Sequence, residues 1–449
     1  MKMKVVVFII AAACGVIGCG NPFMENLLGP KPDKHNIEDF GKDASIATIV
    51  VDSDSWRNTF SGLSPGNYVA NLREDINLGG DPAITLGVGV RVSLRGNKTI
   101  KRSTPGAGAL FKVGKNQKLV LRGPALKGEN FDELHPNKAS LVEVNGGTLE
   151  MRSGEISGNY LYSGSGADTG SGVSVKNGGA FTMYGGSISG NSGFSCKGLG
   201  VYVEDGIFTM NGGNISGNMF GDTGGSGVFI ESGAFIMNSG NISHNFAEDG
   251  GGVFFNGGAF TMNGGNIFGN TGGNAGGGVV VRGGAFTMNG GNISQNTAQF
   301  GSGVVVSNIV RTGIFTTFTM NNGNIFDNTA TGSYFGGGGV HVLAGGLFLM
   351  RGGSIHNNIA ANTSGGGVYV GNSYPSYAVT FCKTGGTIRD NTAGTGLGHA
   401  AYAEDSAAKY RNASAGPEVK LYAARDHITN AWSYSSPETG DTLPAWPNM

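Results

Sequence analysis

The sequence predicts an all-β protein, a single-stranded right-handed parallel β-helix of about 11 coils with a short N-terminal capping helix. One glycine-rich unit recurs along the chain, and its apolar residues alternate with polar ones as in a β-strand. The 449 residues include 84 glycines, and glycine at this density is incompatible with long α-helices. Hydrophobic residues make up 39% of the chain, which is enough for a core and excludes a flexible glycine linker.

The recurring unit reads Gly-Val-x-x-x-Gly-Gly-Ala-Phe-Thr-Met-Asn-Gly-Gly-Asn-Ile-Ser-x-Asn. Phenylalanine lies seven residues before the isoleucine in most copies, methionine five before it, and asparagine three after it. The spacing between copies is 25 to 27 residues, or 30 to 33 where a loop is longer. The aligned isoleucines are Ile156, Ile188, Ile215, Ile242, Ile267, Ile293, Ile325, Ile355 and Ile388.

A single unit has too little apolar surface to fold alone, so the units are expected to stack. Each strand then pairs with its equivalents in the coils above and below, at a spacing of about 4.8 Å. Phe260 and Met262 are predicted to point inward as members of continuous columns, and the repeated asparagine is predicted to form a hydrogen-bonded ladder. Two less regular coils are predicted before the repeats, around Val92 and Leu119.

The segments that flank the stack divide into four parts. Residues 1–18 have the basic start and short apolar stretch of a signal peptide, and residues 19–50 are polar, as in a flexible tether. Residues 51–75 are predicted to cap the first coil with a short helix from Ser53 to Gly62, with Trp56 and Phe60 facing the core. The β-helix itself is predicted over residues 76–398. Residues 399–449 are expected to form a C-terminal cap and tail, with a strand at 417–422.

The charge balance argues against one class of partner. The formal net charge is −1, from 30 lysines and arginines and 31 acidic residues, so no nucleic-acid partner is expected. Beyond the signal region only Cys196 and Cys382 remain, and they lie about seven coils apart. That separation is far beyond the reach of a disulfide, so both thiols are predicted to be free.

The best candidate ligand site is a row of outward-pointing side chains. The middle residue of each Val-x-Val strand must point away from the core, because strand side chains alternate between faces. An exposed aromatic row marks a binding surface more often than chance, and flat rings suit sugars. Two alternatives stay open: these residues serve β-pairing alone, or long loops cover them. The candidate ligand-binding residues are Tyr202, Phe229, Phe254, His341 and Tyr369.

A possible metal site lies at the corner that follows the same strands. Glu204, Asp205 and Glu231 fall at this corner on neighbouring coils, between Lys176 and Arg282. Calcium prefers such carboxylate oxygens, so a calcium site is one interpretation. The alternative, which we favour, is a solvated corner of mixed charge. No catalytic residues and no other cofactor are predicted.

The residues Val16-Ile17-Gly18-Cys19 and the repeats over roughly residues 140–395 resemble a group of bacterial repeat lipoproteins of unknown function. The architecture is similar to the pectin-lyase-like right-handed β-helix superfamily, and the repeats are loosely similar to polymorphic outer-membrane proteins. This resemblance implies lipidation of Cys19, for example by palmitate, and an outer-membrane location exposed at the cell surface. It is specific for the fold and does not fix an activity.

We therefore expect a surface-displayed lipoprotein, anchored in the membrane by its lipid, that acts as a binding or adhesion module for glycans or host proteins. Whether the chain is an enzyme is left open, and a non-enzymatic role is favoured. The first alternative is a polysaccharide lyase or glycoside hydrolase that uses Glu204, Asp205 and Glu231. The second alternative is a passive structural or antigenic coat protein.

Overall fold

A computed structural model describes most of the chain between residues 47 and 403, and two later strands. The described ranges are 47–129, 131–132, 134–162, 170–219, 224–308, 316–343, 345–371, 380–395, 398–403, 422–425 and 432–435. Cys19 and the residues up to 46, which include the predicted signal peptide and most of the predicted tether, lie outside these ranges. The described residues form an all-β, right-handed parallel solenoid of about 11 turns, as the sequence predicted.

The first sheet has 23 strands and contributes two arms to each coil. One arm carries the Phe-x-Met pattern: Ala47–Val51, Gly66–Leu72, Val90–Arg95, Lys118–Gly128, Thr148–Ser157, Ala180–Met183, Gly206–Met210, Gly233–Met237, Ala259–Met262, Ala285–Met288, Thr316–Met320, Gly346–Met350 and Thr380–Lys383. The second arm carries the isoleucine: Ile76–Asn77, Thr99–Arg102, Ser187–Ser189, Asn214–Ser216, Asn241–Ser243, Asn266–Phe268, Asn292–Ser294, Asn324–Phe326, Ser354–His356 and Thr387–Arg389. The long strands Lys118–Gly128 and Thr148–Ser157 run through both arms.

Two further faces close each coil. The second sheet contains the Val-x-Val strands: Ile84–Thr85, Phe111–Gly114, Val142–Asn145, Val173–Lys176, Val201–Glu204, Val228–Ile230, Val253–Phe255, Val279–Val281, Val304–Val306, Val340–Val342, Val368–Val370 and Ala401–Ala403, followed by Tyr422–Arg425 and Trp432–Ser435. The third sheet contains Phe246–Asp249, Thr271–Ala275, Thr297–Ala298, Thr329–Ala330, Ile359–Ala360 and Thr392–Ala393. On earlier coils this side holds the pair Tyr160–Tyr162 and Ser192–Phe194.

The core consists of columns of equivalent side chains, as predicted. Phe260 pairs in register with Phe235 and Phe286, and Met262 with Met237 and Met288. All of these side chains are completely buried. The stacked phenylalanine rings have centroid separations of 4.5 to 5.0 Å from Phe181 to Phe381. The ring spacing thus matches the spacing of neighbouring strands, about 4.8 Å.

The buried asparagine forms the predicted ladder, with a definite pattern at each coil. In Asn270, one Nδ2 hydrogen is donated to Ile242 O (2.9 Å) and the other to Asn296 Oδ1 (3.0 Å). Asn270 Oδ1 accepts from both Nδ2 and the backbone N–H of Asn245, each at 3.0 Å. Both donors and both lone pairs of the amide are therefore satisfied without water. The continuous ladder comprises Asn191, Asn218, Asn245, Asn270, Asn296, Asn328, Asn358 and Asn391.

The N-terminal cap buries the residues that were predicted to face the core, although its helix is shorter than predicted. The helix spans Trp56–Thr59, and Trp56 and Phe60 are 4% and 1% exposed. Asp52 Oδ1 accepts from the backbone N–H groups of Asp54 and Ser55, which forms a turn and delays the start of the helix.

The stack also begins earlier than residue 76, the predicted boundary. Ala47–Val51 pairs in parallel with Gly66–Leu72, which pairs in turn with Val90–Arg95. Residues assigned to the tether and the cap therefore belong to the first coils. These strands lack the Gly-Gly and Phe-Thr-Met signature of the repeats, so the periodic pattern does not reveal them.

At the other end, Ala401–Ala403 pairs antiparallel with Trp432–Ser435, which pairs antiparallel with Tyr422–Arg425. Of the strand predicted at 417–422, only Tyr422 lies in a described element, and residues 404–421 are outside the described ranges. Lys383 continues the methionine column after Met350 and is 1% exposed. Burial lowers the pKa of Lys383 to about 8. In the described part of the chain, no helix has the length and apolar character needed to cross a membrane.

Candidate binding surfaces

The five candidate ligand-binding residues lie on the outer side of the second sheet, as predicted, but the prediction that they are exposed is wrong. Tyr202 pairs in register with Phe229, and Phe229 with Phe254; these three residues are called the outer aromatic row. Further along the same column lie His341 and Tyr369. All five side chains are between 0% and 4% exposed, so no ligand reaches their faces in this structure.

The cover over the outer aromatic row comes from the turn that precedes each Val-x-Val strand. At Gly250 the backbone has φ +65°, and a Cβ there would lie 2.9 Å from Cβ of Phe254. Glycine is thus required both for the conformation and for the close approach. These turns also stack on one another, since Gly225 N donates to Asp249 O and Gly250 N donates to Ala275 O, both at 2.9 Å. The outward side chains therefore form a second, thinner apolar layer.

The acidic corner forms ion pairs and does not converge. Glu204 pairs with Lys176 at 3.1 Å, and Glu231 pairs with Lys197 at 3.3 Å and accepts from Asn256 at 2.8 Å. Among the residues that the structure describes, no group of three His, Cys, Asp or Glu side chains is arranged to hold a metal ion. The predicted site at Glu204, Asp205 and Glu231 is therefore not assembled among the described residues, because Glu204 and Glu231 are each paired with a lysine of their own.

The same cations shield the buried rings. Lys176 Nζ lies 5.2 Å from the ring centre of Tyr202, and Lys197 Nζ lies 5.3 Å from that of Phe229. Arg282, which pairs with Asp249, lies 4.9 Å from the ring centre of Phe254. Residues that the sequence suggested as separate aromatic and acidic sites are thus parts of one covered surface, held by cation–π contacts and ion pairs.

His341 lies in an aromatic box and is completely buried. Its ring centre is 5.3 Å from Phe300, 6.0 Å from Phe335 and 4.7 Å from Tyr369. The predicted alternative of a covering loop is thus confirmed here, because Phe335 belongs to the long loop before this strand. Neither ring nitrogen makes a hydrogen bond of good geometry to a described residue. Burial lowers the pKa of His341 to about 3, and the nearby Gly336 backbone offsets this only in part.

The two thiols do not form a disulfide, as predicted. Cys196 is buried and its Sγ contacts the carbonyl oxygens of Leu161 and Phe194, at 3.3 and 3.1 Å. Cys382 is partly buried, and burial raises the pKa of its thiol. A raised pKa reduces the thiolate fraction of Cys382 relative to an ordinary cysteine.

A different column of side chains is exposed, at the corner between the two arms of the first sheet. It consists of the residue that follows each inward Leu or Met from Leu94 to Met320, and we call it the corner lane. It begins with arginines, continues with an exposed tyrosine and then becomes an amide ladder. Its members are Arg95, Arg122, Arg152, Tyr184, Asn211, Asn238, Asn263, Asn289 and Asn321.

The amides of the corner lane are linked but not saturated. Asn263 donates to Asn238 Oδ1 at 2.8 Å and accepts from Asn289 at 2.9 Å. Each amide has two donors and two lone pairs, so one donor and one acceptor per coil remain for solvent or a ligand. At the start of the ladder, the guanidinium of Arg152 lies 3.7 Å from the ring centre of Tyr184, which is 39% exposed.

Sequence reasoning missed the corner lane although its signal was present. Five consecutive copies carry an asparagine directly after the methionine, but the repeat alone does not show whether that asparagine is exposed. The arginines lie in the two irregular coils and the first repeat, where the unit is poorly preserved. Their alignment with the asparagines requires the register of the strands.

Comparisons with known proteins identify no relative. No family profile, no curated protein and no solved structure matches this chain.

Proposed function

We propose that this protein is a surface-displayed binding module that holds an extended glycan along the corner lane. The supporting observation is the lane itself: nine coils each present one exposed or half-exposed polar or aromatic side chain on a single line. Eight steps of about 4.8 Å give a lane of about 38 Å. Amides bind sugar hydroxyls, an exposed tyrosine stacks on a sugar ring, and arginines bind acidic substituents.

The proposal keeps the predicted role in glycan or host-protein binding but moves it to another face. The outer aromatic row is covered, whereas the corner lane is accessible along its length. A linear polymer suits the lane because both have a regular repeat, so that each coil can contact an equivalent part of the chain. Contacts that are individually weak then add along the polymer.

The test is binding of the purified full-length protein to an array of glycans and matrix proteins. The lane variant Tyr184→Ser/Asn211→Ser/Asn238→Ser should lose at least about tenfold in affinity, equivalent to about 1.4 kcal/mol. The matched control, Thr271→Ser/Thr297→Ser/Thr329→Ser, alters the third sheet and should bind like the wild type. Equal affinity of the lane variant would contradict the proposal, and absence of binding by the wild type would favour the passive-coat alternative.

We also propose that the rod is anchored by lipid at Cys19, as in the repeat lipoproteins of β-helix architecture that the sequence resembles, and that it is displayed on the outer membrane. The support is the sequence Val16-Ile17-Gly18-Cys19 after a short apolar stretch. Two or more acyl chains give stable anchoring. In cells fed labelled palmitate, the protein should carry the label and sediment with membranes. Cys19→Ser should abolish both properties, while Cys196→Ser should change neither; label in Cys19→Ser would refute the assignment.

A further inference from the structure

The first coils of the solenoid carry a concentrated positive charge that the overall balance of the chain conceals. Between Asp81 and Glu129 there are ten lysines and arginines and no acidic residue. Four of the lysines reach acids outside this segment: Lys101 pairs with Glu129, Lys112 with Glu143, Lys118 with Glu150 and Lys127 with Glu155. Arg102 is buried and donates to three backbone carbonyls.

Two arginines of the corner lane are not neutralised in this way. Arg95 and Arg122 lie in register on adjacent strands, and both are half-buried. Neither forms an ion pair or a side-chain hydrogen bond with any described residue. Arg152 follows on the next coil, where a bulge interrupts the register. The three guanidinium groups therefore form one short stack, in which strands are about 4.8 Å apart.

Within the described residues, the surroundings of the stack provide an ion-pair partner for Arg152 but not for Arg95 or Arg122. The partner of Arg152, Glu150, also pairs with Lys118, and the two distances are 2.9 and 2.5 Å. The Nε atoms of Arg95, Arg122 and Arg152 are buried and have no hydrogen-bond partner in the part of the chain that the structure describes. Burial lowers the pKa of Arg122, and the positive charges of Arg152 and Arg95 lower it further. Like charges at this distance repel, so a bound anion would stabilise the stack.

We propose that Arg95 and Arg122, flanked by Arg152, form a binding site for sulfate or phosphate ester groups of an anionic glycan. The guanidinium group presents a planar fork of donors that matches such oxyanions, and charge-assisted bonds of this kind are the strongest that a surface offers. The inference rests on the proposed function in one respect: Tyr184 and the amide ladder are taken to bind the uncharged part of the same glycan.

The geometry favours a polymer over a single small ion. Two forks one coil apart can take two ester groups, or two oxygens of one group, while the chain continues along the lane. Arg152 is fixed by Glu150 on one side and by the ring of Tyr184 on the other. Arg152 therefore marks the boundary between the arginines and the uncharged residues of the lane. Because Glu150 neutralises it, it contributes less to anion binding than Arg95 and Arg122.

The test uses the full-length protein and heparin oligosaccharides as the sulfated probe, with a phosphorylated mannan as the phosphate-ester probe. Arg95→Gln/Arg122→Gln should weaken binding of the preferred probe at least about tenfold, since two charge-assisted contacts are lost. The control Lys112→Gln/Lys115→Gln removes the same charge from the second-sheet side of the same coils and should change the affinity less than about threefold. Arg95→Lys/Arg122→Lys should bind with intermediate affinity, because it keeps the charge and loses the fork.

The outcomes separate this inference from the proposed function. Equal weakening in the Gln variant and the control would overturn the site, since binding would then follow net charge alone. Failure of the wild type to bind either anionic probe would also overturn it. In that case, desulfated heparin or another neutral glycan that still binds and is lost in the Tyr184→Ser/Asn211→Ser/Asn238→Ser variant would leave the proposed function intact. Circular dichroism and the Tm of each variant test whether its fold is unchanged.

Discussion

At the scale of single residues, equivalent side chains play different roles according to the face on which they lie. Asn270 and Asn263 belong to the same coil, and both bond to the equivalent asparagines of neighbouring coils. Asn270 is buried and has no water to replace a lost bond, whereas Asn263 is exposed. The cost of an unmade hydrogen bond is high only in the first environment.

The contrast predicts the effect of removing each amide. Asn270→Ala leaves the Nδ2 group and the backbone N–H of Asn245 and the carbonyl of Ile242 without their partners, so it should lower the free energy of unfolding by at least about 3 kcal/mol. Asn263→Ala should change it by less than about 0.5 kcal/mol. Equilibrium denaturation measures both values, and similar values for the two variants would refute the role given to the buried ladder.

At single residues, the sequence predicted correctly to which face of a strand a side chain points, but not whether that side chain is exposed to solvent. The inward positions of Phe260 and Met262 and the bonding of Asn270 follow from strand alternation and from the repeat. Alternation also placed Tyr202 and Phe254 on the outer side of their strands. Strand alternation carries no information about the turn at Gly250, which covers the outer side of the strand. The burial of Tyr202 and Phe254 was therefore not predictable from the period of the repeat alone.

The buried state of His341 predicts a pH dependence of stability. Its pKa is about 3 in the folded protein because of burial, against 6.5 for an ordinary histidine, so the unfolded chain binds the proton more readily. This contribution to stability is complete above about pH 6.5 and is lost progressively toward pH 3. At pH 5 the loss is about 2 kcal/mol.

His341→Phe should therefore reduce the fall in stability between pH 8 and pH 5 by about that amount, as measured by denaturation at each pH. The exposed Asn263 provides the control, because Asn263→Ala leaves every titratable group in place. That variant should keep the pH profile of the wild type. An unaltered profile in His341→Phe would show that burial does not lower the pKa of His341.

At the scale of elements, the coils from Tyr202 to Val305 have an apolar layer on each side of the second sheet. The inner layer contains the valines of the Val-x-Val strands, and the outer layer contains the outer aromatic row under its glycine turns. The turns stack through their own backbone hydrogen bonds, so the cover continues from coil to coil. The glycine pairs that mark the repeat thus form a layer of the structure as well as corners.

This arrangement predicts a specific effect at Gly250. Gly250→Ala combines an unfavourable positive φ with a clash against Phe254, and should lower the free energy of unfolding by about 2 to 4 kcal/mol. Gly217 has φ +61° with nothing within 4 Å of an added Cβ, so Gly217→Ala isolates the strain. It should cost only about 1 kcal/mol. Equal losses of stability in Gly250→Ala and Gly217→Ala would mean that the turn at Gly250 is not in close contact with Phe254.

At the scale of the whole molecule, each repeat forms one coil, so residues one repeat apart in sequence are neighbours along the axis of the solenoid. Equivalent residues 25 to 32 positions apart in the repeats from 211 to 321 lie on adjacent coils. This relation, which the sequence predicted for the core, also produces the corner lane and joins its arginines to its asparagines. The start of the stack and the closing strands departed from prediction, because the terminal coils do not follow the repeat.

The central claim is that equivalent residues form straight columns with one side chain per coil. Nitroxide labels at Asn211→Cys and Asn321→Cys, in a background without the native thiols Cys196 and Cys382, test it by pulsed electron resonance. The two sites are four coils apart, so the account predicts a narrow distance distribution centred near 19 Å, broadened by the label arms. A broad distribution, or a mean beyond about 30 Å, would contradict the columns and the binding lane built on them.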